Sequence, residues 1–354
     1  MKMHAWMFAA ALLVVGCSSG TEKPGTLCPT LNDQGPALDA TRAYLVVANS
    51  LGEDWLAARL HTADLAPLTE RGLTGRAPND LDVVGDYLYM VNSGDNTISV
   101  VELASGLTIG CIGTGTGSNP WEFAVDPANP SRAWVTCFLS GELLEIDLDA
   151  RKVLRRVAVG SGLEGLWVGP TEVAVSLTGF EGTIGAFGNG TVIVLTKSTL
   201  AEHVRLAVPP NPQTIFTGAD ARLQVVCTGN FSDVTGRVVR LEADYSAVRD
   251  TLLLGGSPQR VALAPDGTAY LAGFYGGILA YDTAGFSALR TTANPLLPES
   301  GYSALALVQG RLYAANFDLD AVVVVDLASG TIVDDFLAGD GPIALVPVPI
   351  RALD

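Results

Sequence analysis

The sequence predicts an all-β fold, a seven-bladed β-propeller of four-stranded antiparallel blades, from three observations: a sevenfold repeat, a strand-and-turn composition, and two chain ends that complete one another. The repeat is the strongest. A four-residue tract ending in a small or polar residue returns seven times at a spacing of roughly 40 to 50 residues. The copies close at Asn49, Asn92, Cys137, Ser176, Cys227, Gly273 and Asn316. Composition agrees, because 39 Gly and 19 Pro punctuate short runs of Val, Ile and Thr, the residues that favour strands and tight turns.

Each tract is followed by a loop and a second apolar strand, at residues 97–102, 143–147, 192–196, 238–242, 278–282 and 322–326. Turn residues such as Ala104-Ser105-Gly106 then lead into a third strand, as at 152–159. The next unit opens with a short strand often headed by proline, at Pro78, Pro120, Pro212, Pro258 and Pro342. Proline suits that position because a strand's first residue needs no ladder N–H. Four short antiparallel strands per unit make a propeller blade. A sandwich or barrel would explain the strands but not the return of the pattern.

The ends decide how the ring closes. The first unit lacks an opening strand before Arg42, whereas residues 341–350 form an opening strand with nothing after it. Blade one is therefore expected to take its innermost strand from the C-terminus and three strands from about Tyr44 to Leu73, which leaves short outer strands as the edges.

Ahead of the repeat, Lys2 precedes an apolar stretch over residues 5–15. Eleven residues at ~1.5 Å rise reach about half of a ~30 Å bilayer core, so a cleaved signal peptide over residues 1–16 is expected rather than a span. Leu13-Val14-Val15-Gly16-Cys17 resembles the bacterial lipobox, which implies lipidation of Cys17, attachment to a membrane through that lipid, and, with Ser18 next, an outer-membrane destination in the cell envelope. Residues 17–40, rich in Ser, Gly, Thr and Pro, read as a flexible tether, and residues 41–354 as the propeller.

The tracts Tyr89-Met90-Val91-Asn92 and Asn96-Thr97-Ile98-Ser99-Val100-Val101, with the proline-headed strands, resemble the YVTN family of seven-bladed propellers over residues 41–350. The resemblance implies the fold. It does not imply an activity, because that family's members include surface proteins, lactonase-like enzymes and the propeller of nitrous oxide reductase, and fold does not fix function.

Charge and chemistry narrow the classes. A formal charge of −16, from 37 acidic and 21 basic residues, disfavours nucleic-acid binding in the absence of a Lys/Arg run. Three histidines, of which His4 lies in the signal, leave His61 and His203, too few for a multi-imidazole copper or haem site. Both fall in outer-strand contexts. Cys28, Cys111, Cys137 and Cys227 allow up to two disulfides in an exported protein. Cys137 and Cys227 occupy equivalent slots two blades apart and are not natural partners. No GxSxG, HExxH, P-loop or dinucleotide motif is visible, and the Gly-rich run at 110–117 lies between strands, where it reads as a loop. No catalytic residue and no cofactor is assigned.

A site is expected on the face where opening strands begin and the loops after the tracts emerge. From the opening strands the candidates are Asp80, Trp121, Glu122, Glu164, Gln213, Gln259 and Arg260; from the loops they include Phe138, Asn230 and Phe274. Asp54, Trp55, Asp95, Phe180, Phe187, Phe231, Tyr275 and Phe317 belong to the same loops. Aromatics mixed with carboxylates and amides suit a polar ligand or a peptide. Asp80, Glu122 and Glu164, from consecutive blades, are also weak candidates for a hard divalent cation, which takes oxygen ligands. Two functions follow: a monomeric, non-enzymatic binding or protein-interaction scaffold of the cell envelope, and, as the alternative, a metal-dependent hydrolase of lactonase type acting at the central channel.

Overall fold

Seven antiparallel sheets follow one another in the computed structural model, which describes residues 28–60, 66–182 and 185–350. The expected signal peptide, Cys17, the first part of the expected tether and His61 lie outside the described residues. Six sheets have four strands in sequence order, such as Pro78–Val84, Tyr87–Asn92, Thr97–Glu102 and Leu107–Gly113 in blade two. In blade one, Tyr44–Asn49 pairs with the C-terminal strand Pro342–Val348 on one side and Asp54–Arg59 on the other. Two short segments, Ala66–Pro67 and Gly72–Leu73, finish its outer edge. The first strands of the blades neighbour one another all the way round, and Pro342–Val348 lies between the first strands of blades seven and two. The ring therefore closes as the repeat predicts.

The apolar pattern explains why the blades stack. Successive side chains of a strand point to opposite faces. In Tyr44–Asn49, Val46 and Ala48 pack toward blade two, while Leu45 and Val47 pack toward blade seven. Middle strands are buried on both faces and read as unbroken apolar runs, such as Leu45, Val46 and Val47. Outer strands have one face in water, and Lys152–Ala158 accordingly alternates exposed and half-buried residues. Seven core clusters result, centred on the junctions between successive blades.

Hydroxyls stitch five of the seven junctions near the axis. Ser93 Oγ donates to the Pro120 carbonyl at 2.5 Å, Thr136 Oγ1 to that of Glu164 at 2.6 Å, and Ser176 Oγ to that of Pro212 at 2.7 Å. Thr228 Oγ1 reaches the Pro258 carbonyl at 2.8 Å, and Ser303 Oγ that of Pro342 at 2.6 Å.

The expected tether differs. From Cys28 onward the segment is bonded to blade two: Asn32 N donates to Thr108 O, Gly35 N to Gly106 O and Leu38 N to Leu103 O. Leu38 is 2% exposed inside the core shared by blades one and two, and Cys28 is disulfide-bonded to Cys111 with Cα atoms 5.4 Å apart. The bond and the buried leucine hold what composition alone marks as a linker. Cys137 and Cys227 are free and buried; burial pushes the Cys137 thiol up to about 12 and Cys227 higher still. His203 is exposed on the outermost strand of blade four.

Candidate functional site

Every blade carries a β-bulge at the same place, between its first and second strands. A bulge inserts residues without a partner and re-aims their side chains. The bulged positions include Asn79, Trp121 and Glu164 in blades two to four, Gln213 and Gln259 in blades five and six, and Ser303 and Ile343 in blade seven and the closing strand. All seven line one cavity of about 570 Å³. Each blade thus contributes one side chain to the floor, and its identity sets the chemistry there.

The residues after the bulges form a second ring. Gly165, Ala304 and Ala344 are small, and Asp80, Glu122 and Arg260 bring the charge. Arg260 reaches from blade six to the opposite side, where Nη2 donates to Asn79 O at 3.4 Å and Nη1 stands 3.8 Å from Glu122 Oε1. Asp80 bridges two blades, accepting from Phe123 N at 2.9 Å and Leu81 N at 3.0 Å. The cation that the three carboxyls share is this guanidinium: Asp80, Glu122 and Glu164 more than offset the effect of burial and raise its pKa. Among the described residues, no group of three or more His, Cys, Asp or Glu side chains is placed to hold a metal ion.

Burial dominates the acids. Glu164, 4% exposed, is pushed up to about 8 by desolvation, against the pull of Arg260. Glu122 also rises to about 8, from desolvation first, opposed by Arg260 and reinforced by Asp80 and Glu164. Asp80 is raised by desolvation, with Arg260 and its two backbone donors opposing. Both Glu122 Oε2 and Glu164 Oε2 are buried without a hydrogen-bond partner. A third orphan is Asn211 Nδ2, on a fully buried residue that also lines the cavity.

Above the floor runs an arc of rings from blades three to six. Trp121 and Phe138 have centroids 5.4 Å apart, Phe138 and Phe180 6.2 Å, and Phe180 and Phe187 5.2 Å. Phe187 to Phe231 at 5.8 Å and Phe231 to Tyr275 at 6.5 Å continue it. Such spacings are those of favourable ring pairs. The expanded loop of blade four makes a two-stranded hairpin, Phe180–Glu181 with Ala186–Phe187, which puts two of these rings side by side. Asn230 shapes the next loop: its Oδ1 accepts from Ser232 N at 3.0 Å and Val234 N at 2.9 Å, and its Nδ2 donates to Asp233 at 2.8 Å.

The structure therefore brings Trp121, Glu164, Gln213, Gln259, Arg260 and Asn230 together on the cavity, with Asp80 and Glu122 beside its floor. Phe138 lies behind Trp121 and Phe180 within the arc. Four loop expectations are corrected. Trp55 is fully buried, wedged against Gly35 and Gly72, where any Cβ would strike the indole. Phe317 is fully buried and off the cavity, edge-on to Phe274, which is 2% exposed and lines the cavity wall. Asp54 and Asp95 are ion-paired with Arg71 at 3.0 Å and Arg76 at 2.6 Å, and those pairs hold loops. Asn79 and Asn211 were missed. The available signal was asparagine beside an opening proline: Asn211 has φ 58°, a left-handed conformation that Asn tolerates better than most residues.

No protein-family model matches this chain, and no curated protein sequence matches it. Solved structures do. A candidate 6-phosphogluconolactonase from Bacteroides fragilis superposes with a TM-score of 0.67 at 15% identity, covering 89% of this chain and 100% of that one. A protein of unknown function from Desulfotomaculum acetoxidans gives 0.65 at 11% identity, covering 86% and 98%. Hydrazine synthase of Kuenenia stuttgartiensis gives 0.62 at 14% identity, covering 75% and 88%. At these identities the likeness establishes the β-propeller fold and nothing finer.

Proposed function

We propose that the protein is a YVTN-like envelope lipoprotein, exported behind residues 1–16 and held to the outer membrane by a lipid on Cys17, whose propeller binds a ligand without turning it over. The carrying observation is the cavity: seven bulges aim one residue per blade into about 570 Å³, where Glu164 Oε2 and Asn211 Nδ2 have no protein partner. A buried polar group without a partner costs about 1–3 kcal/mol, and a ligand that supplies the missing donor and acceptor recovers that cost. The cavity volume falls within the range of about 300–1,000 Å³ usual for small-molecule sites. Two of the cavity hydroxyls, Thr228 and Ser303, give their protons to the backbone carbonyls of Pro258 and Pro342 and so are not poised as nucleophiles.

The test is a thermal-shift screen of small polar ligands and peptides on residues 18–354. A ligand that binds the folded state raises Tm. The expected hit stabilises the parent chain, fails to stabilise Trp121→Ala, and is not consumed. Equal stabilisation of both chains would place binding elsewhere, and product formation would make the protein an enzyme. A Cys17→Ser full-length chain recovered in the soluble rather than the membrane fraction supports the anchor; membrane recovery unchanged by that substitution overturns it.

A further inference from the structure

We propose that the cavity selects an organic ammonium cation, held between the aromatic arc and the carboxylate of Glu164. The proposal rests on the binding reading above and gives it a chemistry. Three independent features of the molecule point to positive charge.

The first is the rim. An aromatic face is electron-rich, and a cation within about 6 Å of it is attracted, more strongly where water is excluded. Trp121, Phe180, Phe187, Phe231 and Tyr275 line the cavity. The cation–π pairs among the described residues are Arg155 on Trp134 and Arg240 on Phe286, so none of the described cations is stacked on the arc.

The second is the floor. Three carboxyls surround one guanidinium, and the buried oxygens Glu122 Oε2 and Glu164 Oε2 each lack a donor. An ammonium has up to three N–H groups to offer. An anion would meet the partnerless Glu164 Oε2 beside an Arg260 that already faces Glu122 Oε1 at 3.8 Å and the Asn79 carbonyl at 3.4 Å. A neutral polyol would satisfy the oxygens but brings no charge to draw Glu164 into its ionised form.

The third is the long-range field. A chain of formal charge −16 draws cations toward its clefts and disfavours anions.

Binding is then coupled to a proton. Burial keeps Glu164 and Glu122 protonated near neutral pH, with values of about 8. An opposite charge nearby favours the ionised form. When the ammonium arrives, the Glu164 carboxyl O–H breaks, its proton leaves to solvent, and the carboxylate accepts an N–H from the ligand. The charged groups facing Glu164 are Glu122 from the neighbouring blade and Arg260 from across the channel. The strand packed on its other side, Pro212–Thr217, carries no titratable residue, while Arg132 and Glu172 stand at the far ends of Arg132–Cys137 and Glu172–Leu177.

A matched series tests this: cadaverine, 1,5-pentanediol and glutarate share a five-carbon chain with cationic, neutral and anionic ends, and choline adds a quaternary cation. Titration calorimetry on residues 18–354 at pH 7, in two buffers of different ionisation enthalpy, reads affinity and proton release together. The expected result is binding of cadaverine with release of about one proton, at least about tenfold tighter than pentanediol, and no detectable glutarate binding. Glu164→Gln is expected to weaken cadaverine by about tenfold or more and to lose most of the proton release. Choline, which has no N–H, is expected to bind through the arc and to be lost in Phe187→Ala. Tighter binding of pentanediol or glutarate overturns the charge assignment while leaving the binding reading intact. Absence of cation binding overturns the proposal, as does unchanged affinity and proton release in a Glu164→Gln chain whose melting transition remains cooperative.

Discussion

The two sides of the channel mouth are built differently. Blades seven, one and two carry Asn316, Asn49 and Asn92 in the closing slot of their second strands, whereas blades three to six carry Cys137, Ser176, Cys227 and Gly273 there. On the asparagine side the amide is spent on loop backbone. Asn92 Oδ1 accepts from Gly75 N at 2.9 Å, Asn49 Nδ2 donates to Ala338 O at 3.0 Å, and Asn316 Nδ2 donates to Ser300 O at 3.0 Å. Ion pairs Arg71–Asp54 and Arg76–Asp95 tie down the same loops. On the other side no slot residue carries an amide, Ser176 Oγ bonding Gly165 N and Pro212 O instead, and the loops carry the rings of the arc. The contrast teaches that the closure side is built to hold the ring and the aromatic side to present a surface.

The largest expected effect comes from breaking closure. A chain ending at residue 340 lacks Pro342–Val348, leaving the fully buried Leu45, Val46, Val47 and Ala48 without their inner neighbour; it should lose its cooperative thermal transition by circular dichroism. Next in size is the Cys28→Ser, Cys111→Ser double variant. A cross-link over a separation of 83 residues contributes roughly 4–5 kcal/mol in the chain-entropy model and typically about 2–4 in practice. The denaturation midpoint of the double variant should fall accordingly.

A paired substitution sharpens the comparison. Asn92→Ala strands the buried Gly75 N–H and should cost about 1–3 kcal/mol while leaving ligand binding intact. Phe231→Ala, at a partly exposed rim position, should cost less than about 1 kcal/mol yet abolish or weaken binding, read by denaturant melts and calorimetry side by side. If both variants lose stability and keep binding, the division between the two sides fails.

The smallest effect is on pH dependence. Glu122 and Glu164 have folded values of about 8, above the ordinary 4.5. Between those values the folded chain holds protons that the unfolded chain has released, so their contribution is fully present below about pH 4.5 and is lost as pH rises toward 8. Stability should therefore decline from pH 5 to 8 in low-salt melts, and Glu122→Gln with Glu164→Gln should flatten that decline.

Much of the fold was legible because propeller blades repeat their constraints. Apolar runs such as Val322-Val323-Val324-Val325, the proline-headed strands and the unpaired ends each encode a local requirement. The face of the site followed from the same register, which is why Trp121, Glu164, Gln213 and Gln259 fall one per blade on the cavity. Arg260 was legible as a position but not as a span across the channel, since its partners Asn79 and Glu122 lie in blades two and three, remote in the chain. Trp55 and Leu38 were misread for a related reason. Their partners are remote in the chain, Gly35 and Gly72 for the indole and Leu103 for the backbone of Leu38, and no local pattern announces such contacts.

Hydrogen exchange of residues 18–354 with and without saturating cadaverine tests the central claim most directly. The account predicts slowed exchange at residues 178–190, 228–236 and 273–277, and none at 49–54, 92–96 and 316–320. Protection centred on the second set, or no protection in either, would contradict it.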